Sequence, residues 1–255
     1  MKPLETKLRA VRESGRKALV PYFMAGLTPD WTQHVEAAVH AGADAVEIGI
    51  PFSDPIMDGV VIQEAALTSL SRGTNLDSIA ADLAKMSVDV PLITMTYFNI
   101  FHHYGLERSI GKLTESGIEG AIVPDLSLEE SGPWTEISNS HDLANIFLVA
   151  PSTSPDRAKL LAQASEGFCY ASARMAVTGK SSDEGGAQSV VAGIRAGSDI
   201  PTYVGIGIST PEQAQAASLL GDGVIVGSAL VQLLLDGAGP SKVEEFISSF
   251  RRAID

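Results

Sequence analysis

The chain has 255 residues, 45% of them hydrophobic and 19% charged, with a formal net charge of −13. This composition allows one large core, and so negative a surface argues against a nucleic-acid backbone as its partner. No apolar run reaches the roughly 18–20 residues a bilayer span needs.

The opening segment, MKPLETKLRAVRESGRK, lacks the apolar stretch of a secretory leader. The single cysteine, Cys169, excludes an internal disulfide and fits a reducing compartment, so a cytoplasmic location is expected. Leu4, Leu8 and Val11 share one face of a predicted N-terminal helix. Residues 18–25 read as a first buried strand. Thr28 is placed to cap the next helix, with Pro29 at its first position and Gly42 beyond its end. Residues 45–50 form a second apolar strand, interrupted by one acid, Glu47. The strand breaks at Pro51 into a run of turn formers that carries Asp58.

Short helices are predicted over 63–70 and 76–86, the second starting near Asn75. Strands then follow at 91–96, 120–123, 145–149, 167–171, 201–205 and 223–226. Helices are predicted at 104–116, 128–138, 156–164, 188–196, 211–217, 228–235 and 242–254. Eight strands alternating with helices, without a linker, predict a closed (β/α)8 TIM barrel. The expectation is a single domain over residues 1–255 with an extra N-terminal helix. The glycine fingerprint of the open dinucleotide fold is absent from the sequence.

A carboxylate inside a buried strand is costly unless it has partners or a task. Glu47 and Asp58 therefore read as a general acid/base pair set across a pocket. The plainer alternative makes Glu47 an ion-paired strand-end acid and Asp58 a helix cap. A barrel favours the pair, because its chemistry sits on loops after the strands' C-terminal ends. Three glycine loops, Val177-Thr178-Gly179, Gly205 to Ser209 and Gly227-Ser228, are candidates for holding a phosphate. The last opens a helix directly after a strand, where free N–H groups and the helix dipole attract anions. Ordinary helix-start glycines are the alternative there.

The run Gly179-Lys180-Ser181 is not a nucleotide loop, since Arg174 stands where that motif needs glycine. The polar stretch 172–186 has the character of an active-site lid or of a plain surface loop. Phe23, Tyr97 and Tyr170 lie near strand ends and could wall a pocket, while Phe98 reads as core. His102-His103 lacks further ligands at metal-binding spacing. Cys169 reads as an inert buried thiol.

The motifs EIGIPFSDPIMDG, MTYFN, VPDLSLEE, ARMAVTG, VGIGIS and VGSAL together resemble the α-subunit family of tryptophan synthase, from about Leu4 to the final helix. The resemblance implies retro-aldol cleavage of indole-3-glycerol phosphate to indole and glyceraldehyde 3-phosphate. It implies Glu47 as the proton shuttle, Asp58 on the indole N–H, and Tyr170 beside the glycerol end. It implies Phe23, Tyr97 and Ile122 around the indole, with Gly179, Gly207, Gly227 and Ser228 on the phosphate. It implies no cofactor in this chain. The partner would be a β subunit carrying pyridoxal phosphate, in an α2β2 heterotetramer. Met57, Val60, Ile100 and Ala176 depart from the family pattern, which has a small residue, two prolines and a glycine there. Alternatives are a free-standing lyase, a mainly regulatory subunit, and a barrel acting on another sugar phosphate.

Overall fold

Strand β1 (Ala18–Met24) is buried along its whole length and lies at the middle of one parallel sheet. The structure, a computed structural model, describes residues 1–172, 184–205 and 207–255. The other strands are β2 (Val46–Gly49), β3 (Leu92–Met95), β4 (Ile118–Ile122), β5 (Ala144–Ile146), β6 (Leu148–Val149), β7 (Cys169–Ser172), β8 (Thr202–Gly205) and β9 (Gly223–Val226). Their order is β5-β4-β3-β2-β1-β9-β8-β7-β6. The two end strands are separated in the chain only by Phe147. They are halves of one strand bent at that residue, which closes the ring, and the predicted count of eight is recovered.

The helices are α1 (Pro3–Glu13), α2 (Trp31–His40), α3 (Val60–Ser71), α4 (Leu76–Leu83), α5 (Phe98–Tyr104), α6 (Leu106–Glu115), α7 (Gly132–Ser140), α8 (Pro155–Ala164), α9 (Glu184–Arg195), α10 (Pro211–Leu220), α11 (Ser228–Leu235) and α12 (Pro240–Ile254). The architecture is a (β/α)8 TIM barrel with α1 as an additional N-terminal helix.

Period-two alternation sorts the strand side chains into two cores. Ala18, Val20, Ala45, Ile93, Ile122, Tyr170, Tyr203 and Ile225 fill the barrel interior. Leu19, Val46 and Ile48 pack outward with helix residues such as Trp31, Val35 and Leu230. Leu4 and Leu8 of α1 are fully buried in the interior cluster, so α1 plugs the barrel floor. A Cβ added at Gly120 or at Gly167 would come within 2.6 Å of Leu4 Cδ2. Two glycines thus form the socket for this plug, and burial of each leucine is worth roughly 2 kcal/mol.

Local side-chain caps start α4, α8 and α10. Asn75 and Ser78 form a reciprocal capping box at α4, as Asn75 foretold. Three expectations need correction. Thr28 does not cap α2, which begins at Trp31 with Asp30 at the cap position. The helix predicted over 104–116 is α6, but it is preceded by an unpredicted helix, α5, separated from it at Gly105 with φ of 84°. This added helix begins at Phe98, whose N–H donates to Asp125 Oδ1 at 2.8 Å. The helix predicted from residue 128 starts at Gly132, after a turn in which the Ser127 hydroxyl donates to Glu130.

The floor is also pinned electrostatically. Buried Arg251 of α12 donates to Asp44 Oδ2 at 2.8 Å and to the Lys17 carbonyl at 2.9 Å. The Leu19 N–H reaches the same Asp44 oxygen at 2.9 Å. Removing one partner of a buried pair strands the other charge, typically at about 3–5 kcal/mol. Arg251→Leu is expected to lower unfolding free energy by about 3 kcal/mol in urea titrations, with Arg16 partly compensating Asp44.

Candidate active site

Glu47 and Ala45 lie on the same face of the β2 segment, and Ala45 belongs to the interior core, so Glu47 points into the barrel. Its side chain is 1% exposed, and Glu47 Oε2 has no hydrogen-bond partner among the described residues. Burial, followed by repulsion from Asp58, pushes the Glu47 carboxyl up to about 8. A carboxyl group this desolvated stays protonated at neutral pH and can act as a proton donor.

Asp58 lies half-buried at the end of the loop after β2. The Tyr97 hydroxyl donates to Asp58 Oδ2 at 3.1 Å and accepts the Met57 N–H at 3.0 Å. Gln63 Nε2 donates to the Asp58 carbonyl at 2.8 Å. Burial raises the Asp58 carboxyl, and the Tyr97 hydrogen bond opposes that rise. Tyr97 itself is buried at the cap position of α5, its ring 5.2 Å from that of Phe52. One phenol therefore ties the loop's end to the strand-to-helix junction after β3.

Tyr170 is on the inward face of β7, with its hydroxyl seated against Gly205; a Cβ there would fall 2.2 Å from it. Burial, then Glu47 and Asp58, hold its phenol well above the usual range. Ile122 is fully buried in the interior core. Glu47, Asp58, Tyr97, Tyr170 and Ile122 are thus gathered at the barrel's interior and its C-terminal mouth.

Phe23 does not join them. It pairs with outward-facing Ile48 and packs beneath the helices. The inward position on β1 is Tyr22, which pairs with Glu47 and follows interior Ala18 and Val20 at period two. Tyr22 is absent from the sequence-based candidates. The only sequence signal for it is weak: a buried tyrosine tends to aim its polar tip at a cavity or partner.

The anion corner is partly described. Gly227 caps α11 with no side-chain hydrogen bond, and Ser228 is its first residue. Those first-turn N–H groups are therefore free of a side-chain cap. The neighbouring α10 is closed instead by a Thr210/Gln213 capping box, and the Ser209 N–H donates to Gln213 Oε1 at 2.8 Å. Gly207 is exposed with φ of 77°, a conformation that favours glycine. Thr178 and Gly179, with Ala176 and most of the predicted lid, lie outside the described residues. Burial pushes the Cys169 thiol up to about 12, so it is not a nucleophile at neutral pH. Among the described residues no group of three His, Cys, Asp or Glu side chains could hold a metal ion.

The family model described as tryptophan synthase alpha chain matches residues 8–251. The tryptophan synthase alpha chain of Synechocystis sp. is 40% identical over 255 residues, covering 96% of each chain. That of Methanosarcina mazei is 40% identical over 92% of this chain and 87% of its own. A crystal structure of tryptophan synthase from M. tuberculosis in an aminoacrylate-bound form superposes with a TM-score of 0.90, at 32% identity and full coverage of both chains. The alpha subunit from Legionella pneumophila superposes with a TM-score of 0.88, at 31% identity, over 100% of this chain and 99% of that one. This chain belongs to the tryptophan synthase alpha chain family.

Proposed function

We propose that Glu47 and Asp58 carry out the lyase reaction of this family, cleavage of indole-3-glycerol phosphate to indole and glyceraldehyde 3-phosphate. The observation that carries the assignment is Glu47, a buried carboxyl with one orphan oxygen, protonated up to about 8 and facing a second acid. Protonated Glu47 gives its proton to indole C3. Positive charge then develops on the ring nitrogen, where ionised Asp58 stabilises it. Glu47, now a carboxylate, takes the proton of the glycerol hydroxyl next to the ring as the C–C bond breaks. The bonding pair returns to the ring, indole leaves neutral, the aldehyde forms, and Glu47 is protonated again.

Tyr170 supports the hydroxyl-bearing carbon, and Ile122 and Tyr97 enclose the ring together with Tyr22, which replaces Phe23 in that role. Gly207, Gly227 and Ser228 hold the phosphate by backbone N–H groups, and the resemblance adds Thr178 and Gly179 to them. Indole then passes to a β subunit, which holds pyridoxal phosphate; this chain needs no cofactor for its own step. Ile56, Met57 and Val60, exposed by 83%, 59% and 79% beside the mouth, suit docking against that subunit in an α2β2 assembly. This favours a complex subunit over a free-standing lyase. The reaction places the chain in the cytoplasm with the rest of amino-acid biosynthesis.

Glu47→Gln is expected to lower kcat by at least about a thousandfold in an indole-release assay. The same variant should be more stable than wild type at alkaline pH. Glu47 binds a proton on folding between 4.5 and about 8, so wild-type stability falls as pH rises through that window. The gain in Glu47→Gln should be absent below pH 4.5 and level off above 8, at about 3 kcal/mol or more, read by urea unfolding. Wild-type turnover should fall on the alkaline side with an apparent pKa near 8. Gly207→Ala is expected to raise KM about tenfold with a smaller effect on kcat, since it strains the phosphate loop alone. Ile56→Ser should weaken activation by the β subunit while leaving the isolated chain's indole release within about twofold.

A further inference from the structure

Tyr22 is the one phenol of the mouth that none of the roles above employs beyond its ring. Its Cα pairs with that of Glu47, and its side chain rises from there towards the C-terminal end of β2. It passes over Gly49: a Cβ at Gly49 would lie 2.0 Å from the Tyr22 hydroxyl and 2.5 Å from ring Cζ. Gly49 is thus a notch that admits the phenol at the point where β2 gives way to the loop bearing Asp58. Beyond the end of β9, a Cβ at Gly227 would lie 3.8 Å from Tyr22 Cβ.

Four groups act on the Tyr22 hydroxyl among the described residues: Asp58 from the loop, Glu47 from β2, Tyr97 from the start of α5 and Tyr170 from β7. Asp58 is the strongest of these, whereas Tyr170 feels Glu47 most. No hydrogen bond among the described residues occupies the Tyr22 hydroxyl. Burial and both acids keep it neutral, so it remains a donor throughout the working pH range.

We propose that the Tyr22 hydroxyl is a positioning residue, which donates a hydrogen bond to the Asp58 carboxylate in the substrate complex and holds it aimed at the ring N–H. The proposal rests on the assignment of Asp58 given above and adds a second donor beside Tyr97. Its effect is to separate the two acids. Asp58 is favoured as the carboxylate by two phenols, while Glu47, whose Oε2 has no partner among the described residues, stays a carboxylic acid.

Tyr22→Phe keeps the ring and its packing and deletes only the donor. A hydrogen bond to a charged group is worth about 1.5 kcal/mol, or about one pKa unit. Without it Asp58 ionises at higher pH. The acid limb of the kcat/KM profile, measured with the β subunit present, should therefore move up by about one unit. At neutral pH kcat should fall by about three- to tenfold, with KM changed by less than about twofold. Gly49→Ala, which keeps the hydroxyl but drives it from its notch, should move the same limb in the same direction. If wild type turns over but the acid limb of Tyr22→Phe is unmoved, this proposal is overturned and the assignment of Glu47 and Asp58 stands. If wild type releases no indole from indole-3-glycerol phosphate, the functional reading fails and this proposal with it.

Discussion

A single uncompensated acid governs the mouth of this barrel. Glu47 is as buried as the core residues, yet among the described residues one of its oxygens has no donor. Protein interiors tolerate such a group only by keeping it protonated. The nearest charge, on Asp58, adds repulsion in the same direction. A nearby lysine or arginine would hold Glu47 ionised and end its use as an acid. In the described structure the groups that surround the pair are phenols, which donate hydrogen bonds without bringing charge. Two carboxyl groups of one chemical type can then hold different protonation states at one pH.

The backbone makes that environment possible through absences. Gly49 and Gly205 leave room for the hydroxyls of Tyr22 and Tyr170, each a strand away. A methyl group at either position would overlap the phenol, so the phenol would have to shift from its place. The same device recurs at the opposite end, where Gly120 and Gly167 admit Leu4. At the floor the missing side chains receive an apolar plug, and at the mouth they receive polar tips. The Tyr97 hydroxyl adds a tether, because it binds both Met57 and Asp58 and so couples the loop's backbone to its carboxylate.

The eight-strand rhythm was legible because strands and helices are punctuated locally by glycine, proline and caps such as Asn75. The acid pair was legible because a charge within an apolar run is conspicuous. Which face of β1 looks inward was not. All seven of its residues are buried, as expected of a parallel strand covered on both sides, so no polar alternation marks the interior. Tyr22 and Phe23 are adjacent aromatics, and only the register with Glu47 tells them apart. Helix α5 was hidden for another reason. The group that holds the Phe98 N–H is Asp125, 27 positions further along the chain. Spacing within a short window cannot reveal a partner at that distance.

Asp44 just before β2 and Glu47 within it show how one strand serves stability and chemistry together. Asp44, before the strand, receives Arg251, Arg16 and the Leu19 N–H. Three residues later, Glu47 receives nothing at Oε2 from the described residues. Both side chains are largely buried, so the difference lies in the partners and not in solvent. Long cationic side chains reach the floor from α12 and from the segment ahead of β1, where the chain has no ligand to admit. At the mouth the same reach would fill the cavity and quench the acid. Fixing the barrel from below leaves the upper end free to carry an unfavourable arrangement, and that arrangement is what makes proton transfer near neutral pH possible.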